Sequence, residues 1–175
     1  GFLPIGSTVD ALEPGYYDIV NDNGVLVFAR KSVNTDALLR LPDTKSDEVI
    51  AEIEHFWTKR ETFRRFGFIH KRGFLLHGPQ GSGKSSTVAI VIASLVAAGG
   101  VAVNGASATA TSLKKMLHDM REVEPARPLV VTLEDIDVLL KSDESTLLSL
   151  LDGDANIGNV VFIANLAPRK MRFGL

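Results

Sequence analysis

The feature that most constrains the fold of this chain is a regular alternation of short apolar runs and helix-like segments. From Arg72 onward a strand-like run is followed by a helix-like one, and the pattern repeats as far as NVVFIAN at residues 159–165. The apolar runs are nearly continuous, which is typical of parallel strands covered on both faces. The alternation therefore predicts an α/β fold, a three-layer sandwich with a parallel sheet between two layers of helices.

A different pattern precedes this region. The runs YYDIV and VLVFA are joined by NDNG, and Asn23-Gly24 is a strong hairpin signal because both residues tolerate positive φ. An isolated hairpin is only marginally stable, so it must pack on another part of the molecule. We predict three segments: a small N-terminal β segment at 1–41, a linker and helix at 42–70, and the α/β core at 71–175.

The middle segment carries one long helical pattern, from about Asp47 to Phe66. Ser46 is a plausible N-cap and Gly67 a plausible stop. Four apolar residues recur at helical spacing and are predicted to form one core-facing stripe. They are Ile50, Ile53, Trp57 and Phe63.

Composition excludes several classes of protein. The net charge of -2 over 175 residues gives no basic surface field, so nucleic-acid binding is not indicated. The chain has no cysteine, which rules out disulfides and thiolate metal sites. No apolar run reaches the ~18 residues of a membrane span, and the first residues lack the basic start of a signal peptide. We therefore expect a cytoplasmic protein without a membrane segment.

The stretch HGPQGSGKSS follows the first core strand and precedes a helix. Gly78 to Ser85 fits G-x-x-x-x-G-K-[ST], the Walker A phosphate loop, in the required strand–loop–helix context. Glycines let main-chain N–H groups turn toward phosphate oxygens, Lys84 supplies positive charge, and the Ser85 hydroxyl is a ligand for Mg²⁺. A glycine-rich turn that matches by chance is the alternative. The candidate nucleotide-binding residues here are Gly78, Pro79, Gln80, Gly81, Ser82, Gly83, Lys84, Ser85 and Ser86.

Acidic residues end a later apolar strand, LVVTLEDID. The chain resembles the AAA type of AAA+ ATPases in three successive features. These are a strand, the loop HGPxGxGKS, and a second apolar strand that ends in two acids followed by ID. That family usually has Asp-Glu-Ile-Asp, whereas this chain has Glu134-Asp135-Ile136-Asp137, an order similar to the branch of the mitochondrial Rieske-protein translocase. The match implies that Glu134 lies in the metal shell and that Asp135 is the catalytic base. We expect a low rate of ATP hydrolysis, because the longer and the shorter acidic side chain have exchanged positions. The alternative is that Asp135 and Asp137 only cap the strand end.

The resemblance also implies sensor and trans-acting residues. Asn165 resembles the polar residue that contacts the γ-phosphate or the attacking water, although a plain strand-end Asn is the alternative. Arg169 and Arg172 have the R-x-x-R spacing of arginines that reach a neighbouring subunit's site, or they are solvated basic residues. His70, with the two residues before it, resembles the segment that approaches adenine, and ordinary packing is the alternative.

Three departures from the family limit these expectations. The links between the motifs are short, no C-terminal helical lid follows RKMRF, and NGASATATS has no pore-loop aromatic, so these residues do not support grip on a threaded polypeptide. The resemblance implies ATP and Mg²⁺ as cofactors, a homo-oligomer in the form of a hexameric ring, and ATP hydrolysis that remodels an unidentified macromolecule. One rival is a nucleotide-dependent scaffold with little hydrolysis. Another is a GTPase or kinase, but no N-K-x-D or acceptor pocket is recognisable.

Overall fold

The computed structural model describes residues 9–34, 45–154 and 156–166. Its described strands form one six-stranded sheet in the order β2-β1-β4-β5-β6-β3. The strands are β1 Gly15–Asp22, β2 Val25–Lys31, β3 Lys71–Leu76, β4 Val101–Asn104, β5 Leu129–Leu133 and β6 Val160–Asn165. The helices are α1 Ser46–Trp57, α2 Arg60–Arg65, α3 Lys84–Ala97, α4 Ala110–Val123 and α5 Ile136–Leu148, which a π-helical turn extends over Ser149–Gly153.

The predicted three-layer α/β fold is confirmed. Alternate residues of the central strands point to opposite faces of the sheet, so β5 contributes Leu129 and Val131 to one apolar cluster and Val130 to the other. The first cluster lies under α4 and α5, and the second lies under α1 and α3. Burial of both faces explains why these strands are nearly continuous apolar runs.

The N-terminal hairpin is present and belongs to the same sheet. Its strands β1 and β2 are antiparallel around Asn23 and Gly24, whose φ angles are 51° and 88°. On its other side β1 pairs in parallel with β4, from Gly15 opposite Val101 to Asp18 opposite Asn104. The hairpin is therefore stabilised by extending the sheet beyond β4.

The prediction of one helix from Asp47 to Phe66 is wrong, because the chain breaks between α1 and α2. The Thr58 hydroxyl donates to the His55 carbonyl at 2.7 Å, and the Thr58 N–H donates to the same oxygen. A side chain that competes for a helix carbonyl in this way favours termination. Ile50 and Ile53 are buried as predicted, but Phe56 replaces Trp57 as the buried aromatic residue of α1.

The expectation that the core strands are covered on both sides fails for β3. This strand lies at one end of the described sheet and pairs there with β6 alone. Arg72, Gly73 and Leu75 are exposed, and Leu75 keeps 59% of its accessible surface. Strands β4, β5 and β6 are covered as expected.

Candidate active site

The order of the strands brings three candidate segments to one edge of the sheet. Strand β6 lies between β3 and β5, with Leu76 opposite Asn165 and Leu133 opposite Ala164. All three strands are parallel, so the loop after β3, the acids after β5 and the end of β6 meet at their carboxyl ends. This edge is where parallel α/β sheets bind ligands.

The loop that follows β3 has the conformation that its glycines permit. Gly81 and Gly83 have φ angles of 81° and 85°, in the left-handed region that other residues rarely adopt. A Cβ at Gly78 would lie 2.8 Å from the Ser82 Oγ, so a larger residue would disturb the loop. Gly83 directly precedes α3, and the free N–H groups of the first turn of that helix therefore border the loop.

The Lys84 side chain folds back over this loop. Its Nζ donates to the carbonyl oxygens of Gly78 at 2.6 Å and Pro79 at 2.8 Å, and to the Ser82 Oγ at 3.2 Å. These contacts hold the ammonium group above the start of α3. Positive charge is thereby held where the loop and the helix N-terminus favour an anion.

A cavity of about 290 Å³ joins the phosphate loop to the other two segments. Its lining consists of Gln80, Gly81, Ser82, Gly83, Lys84, Ser85, Ser86, Asp135, Asn165 and Leu166. The structure therefore brings together most of the candidate nucleotide residues with Asp135 and Asn165. Gly78 and Pro79 do not line the cavity, but their carbonyl oxygens accept hydrogen bonds from Lys84, which does line it.

A second cavity, of about 230 Å³, lies between α1 and α3. Ile53, Trp57 and Leu95 give it a largely apolar wall, with Glu54 and Ser94 among its polar residues. The first cavity has the glycine loop, a lysine and two strand-end polar residues. We place the candidate site there because a polyanion needs convergent donors and positive charge.

Asp135 and Asn165 are directly linked. The Asp135 N–H donates to the Asn165 Oδ1 at 2.9 Å. Asp135 has φ 51° and ψ 50°, a left-handed conformation that Asp and Asn tolerate better than most residues, and α5 begins at the next residue. The contact fixes the turn that carries the acids relative to the end of β6.

Glu134 is exposed and does not line the cavity. It follows Thr132 by two residues, and the Thr132 Oγ1 lies 3.0 Å from the hydroxyl of Tyr16 in β1. Burial raises the pKa of Tyr16, and the carboxylates of Glu134 and Asp18 raise it further, while a hydrogen bond with Thr132 acts in the opposite direction. No motif marks Tyr16, because its contact joins residues 116 positions apart.

His70 is buried, and its ring stacks on Phe56 with centroids 3.8 Å apart. Its Nδ1 lies 2.8 Å from the Asn159 Oδ1 and its Nε2 lies 2.8 Å from the Phe56 carbonyl oxygen. It does not line the cavity, and its contact with adenine stays a prediction. Arg169 and Arg172 lie outside the described residues.

The side chains at this edge include oxygen donors of the kind that bind a magnesium ion. Ser85 and Glu134 offer a hydroxyl and a carboxylate oxygen, the hard donors that Mg²⁺ prefers. Within 9–34, 45–154 and 156–166, no group of three or more His, Asp or Glu side chains could hold a metal ion. A site of this kind suits an ion that takes its other ligands from phosphate groups and water.

None of the described helices is both long and apolar enough to cross a membrane.

Parts of known proteins are similar in sequence to this chain. The chain is 36% identical over 121 residues to the ATPase family gene 2 protein of Schizosaccharomyces pombe, a match that covers 59% of this chain and 15% of that protein. It is 28% identical over 138 residues to the probable mitochondrial chaperone BCS1-A of Dictyostelium discoideum, covering 79% of this chain and 31% of the relative. The chain thus spans less than a third of either relative.

A solved structure supports the fold. PCH-2 of C. elegans superposes with a TM-score of 0.51 at 16% identity, over 76% of this chain and 39% of that one. The model of the ATPase family associated with various cellular activities (AAA) matches residues 74–167, which include the phosphate loop, both strand-end acids and Asn165. The chain therefore belongs to the AAA family of ATPases.

Proposed function

We propose that this chain binds ATP and hydrolyses it with Mg²⁺, as a subunit of a homo-oligomeric ring that remodels a macromolecular partner. The observation that carries the ATPase part is the convergence of the phosphate loop, Asp135 and Asn165 around one cavity. Family membership supports the same activity. Assembly and remodelling are inferred from the family and from relatives named chaperones, and the cytoplasmic location stays a prediction.

The proposed chemistry assigns one task to each side chain. Lys84 exchanges its loop carbonyl partners for β- and γ-phosphate oxygens, and Asp135 accepts a proton from the attacking water. Asn165, held by the Asp135 N–H, orients its amide toward that water or the γ-phosphate. Ser85 and Glu134 would hold the metal directly or through its water shell, and bound Mg²⁺ would neutralise charge that develops on the phosphate oxygens.

A scaffold that binds ATP and hydrolyses it poorly is the second candidate. The exchanged acids favour it, because the base at position 135 has one methylene less than the glutamate usual in the family. The left-handed backbone at Asp135 further fixes where its carboxylate can reach. Both candidates need the same nucleotide site, and they differ only in turnover.

Substitution of Lys84 tests the shared requirement. We expect Lys84→Ala to weaken ATP binding by at least roughly 100-fold, since several charge-assisted hydrogen bonds are lost. Lys141→Ala is the matched control, because Lys141 is an exposed lysine of α5 outside the cavity. Titration of a fluorescent ATP analogue, with GTP as competitor, gives both affinities. Tight ATP binding by Lys84→Ala would overturn the site, and a preference for GTP would overturn the assignment of the nucleotide.

A further inference from the structure

We propose that Tyr16 of the N-terminal hairpin is a positioning residue for Glu134, which makes the hairpin part of the metal side of the active site. This inference rests on the proposed function, in which Glu134 lies in the metal shell. Tyr16 precedes the region matched by the family model, which begins at residue 74. The proposal therefore concerns a part of the chain that the family match does not explain.

The path from the hairpin to the acid runs across one strand. Tyr16 lies opposite Ala102 of β4, and Ala102 lies opposite Val130 of β5. The small side chain at 102 leaves room for the tyrosine ring to cross β4. The Tyr16 hydroxyl consequently lies 3.0 Å from the Thr132 Oγ1, although an entire strand separates β1 from β5.

This hydrogen bond is buried and therefore specific. Tyr16 keeps 8% and Thr132 2% of their accessible surface, so water cannot readily replace either hydroxyl. Loss of one partner would leave the other as an unsatisfied buried group, which is costly. The bond holds Thr132, and Glu134 leaves the strand end two residues later.

Further polar groups extend this contact toward the outer edge of the sheet. The Asn104 Nδ2 donates to the Asp18 Oδ1 at 2.8 Å, and Lys31 of β2 lies 3.4 Å from the same carboxylate oxygen. The Lys31 Nζ is also 5.7 Å from the centre of the Tyr16 ring. The hairpin therefore contributes a tyrosine, an acid and a lysine to the face on which Thr132 lies.

The adjacent residue of β1 provides a matched control. Tyr17 points to the opposite face, and its hydroxyl donates to the Glu13 carbonyl at 2.8 Å, a local contact four residues away. Tyr16→Phe and Tyr17→Phe each remove one hydroxyl from a buried ring in the same strand. Only the first removes a contact with the strand that carries the acids.

The test uses the full chain and two readouts. Amide hydrogen exchange without nucleotide or metal should be faster at residues 132–136 in Tyr16→Phe than in Tyr17→Phe. The Mg²⁺ concentration for half-maximal binding of a fluorescent ATP analogue should rise roughly tenfold in Tyr16→Phe only, as expected when support for a metal ligand is lost. Metal-free binding of the analogue should be the same in both variants.

Substitutions of Thr132 test the bond from its other end. Thr132→Val should reproduce both effects, and Thr132→Ser, which keeps the hydroxyl, should not. Equal exchange and equal Mg²⁺ dependence in the two tyrosine variants would overturn the proposal. If Tyr16→Phe failed to fold, wild-type exchange and wild-type Mg²⁺ dependence in Thr132→Val would also overturn it. Failure of the wild-type chain to bind ATP would instead overturn the proposed function, while the exchange experiment would still report on the contact itself.

Discussion

Asp135 has a backbone conformation that few residue types adopt easily. Its φ of 51° favours Asp or Asn, whose short side chains interact with the nearby backbone, over the longer glutamate. The exchange of the two acids thus places the shorter one on the left-handed turn and the longer one before it. The local backbone gives a physical reason for an order that the sequence shows only as a departure from the family.

Replacement of Asp135 separates catalysis from folding. We expect Asp135→Asn to leave ATP affinity and the melting temperature nearly unchanged, because Asn also tolerates the left-handed conformation, and to lower kcat by roughly 100-fold or more through loss of the base. Steady-state phosphate release and a thermal melt measure the two effects. Asp152→Asn, at an exposed acid outside the cavity, is the control. Equal turnover in wild type and Asp135→Asn would favour the scaffold.

Individual site residues were predictable where a local motif defines them. The phosphate loop and Asp135 each follow a strand, Asn165 is the last residue of one, and the parallel sheet brings these strand ends together. Tyr16 was not predictable, because its role depends on the position of β1 beside β4 and on the small residue at 102. No spacing within one segment records such a contact. The arginines at 169 and 172 stay predictions.

At the scale of elements, periodicity located the helices and strands but not all of their ends. The apolar pattern continues across Thr58, so only the hydrogen bonds of that threonine reveal the break between α1 and α2. In the same way, the apolar character of β3 does not disclose that it lies at the end of the described sheet. The order of strands is a property of the whole sheet, and the sequence of one strand cannot specify it.

The start of α4 provides a test of local stabilisation. The Thr109 Oγ1 accepts a hydrogen bond from the Ser112 N–H at 3.1 Å and caps the helix. We expect Thr109→Ala to lower the free energy of unfolding by about 1 kcal/mol. Thr109→Ser should keep most of the stabilisation by the cap, because serine also has a hydroxyl that can accept the hydrogen bond. Urea denaturation of the full chain measures both. Equal stability of the two variants would show that this cap does not contribute.

At the scale of the whole molecule, we propose that the reaction uses a residue from a neighbouring subunit of the ring. Among the described residues, Lys84 is the one lysine or arginine that lines this cavity. The transferring phosphoryl group develops charge on several oxygens, and a trans arginine is a common way to neutralise it. Arg169 and Arg172 are the proposed source, and their contribution would make turnover depend on assembly.

Mixing of two inactive variants tests this dependence. We expect Arg172→Ala to bind ATP normally and to lose turnover by roughly 10³-fold in the assembled state. A mixture with Asp135→Asn should recover part of the activity, because a site with an intact Asp135 can then face an intact Arg172. Phosphate release across mixing ratios measures the recovery. An unchanged rate for Arg172→Ala, or no recovery on mixing, would remove Arg172 from this role.

The position of β3 has a mechanical consequence. In the described part of the chain a single ladder of main-chain hydrogen bonds, to β6, anchors this strand, and His77 alone separates its last residue from the glycine loop. A second ladder, along the side of β3 that is unpaired in the described residues, would stiffen the start of that loop from outside the nucleotide cavity. An extended segment that docks there could thus tune how readily Lys84 releases its carbonyl partners, without any contact with the triphosphate.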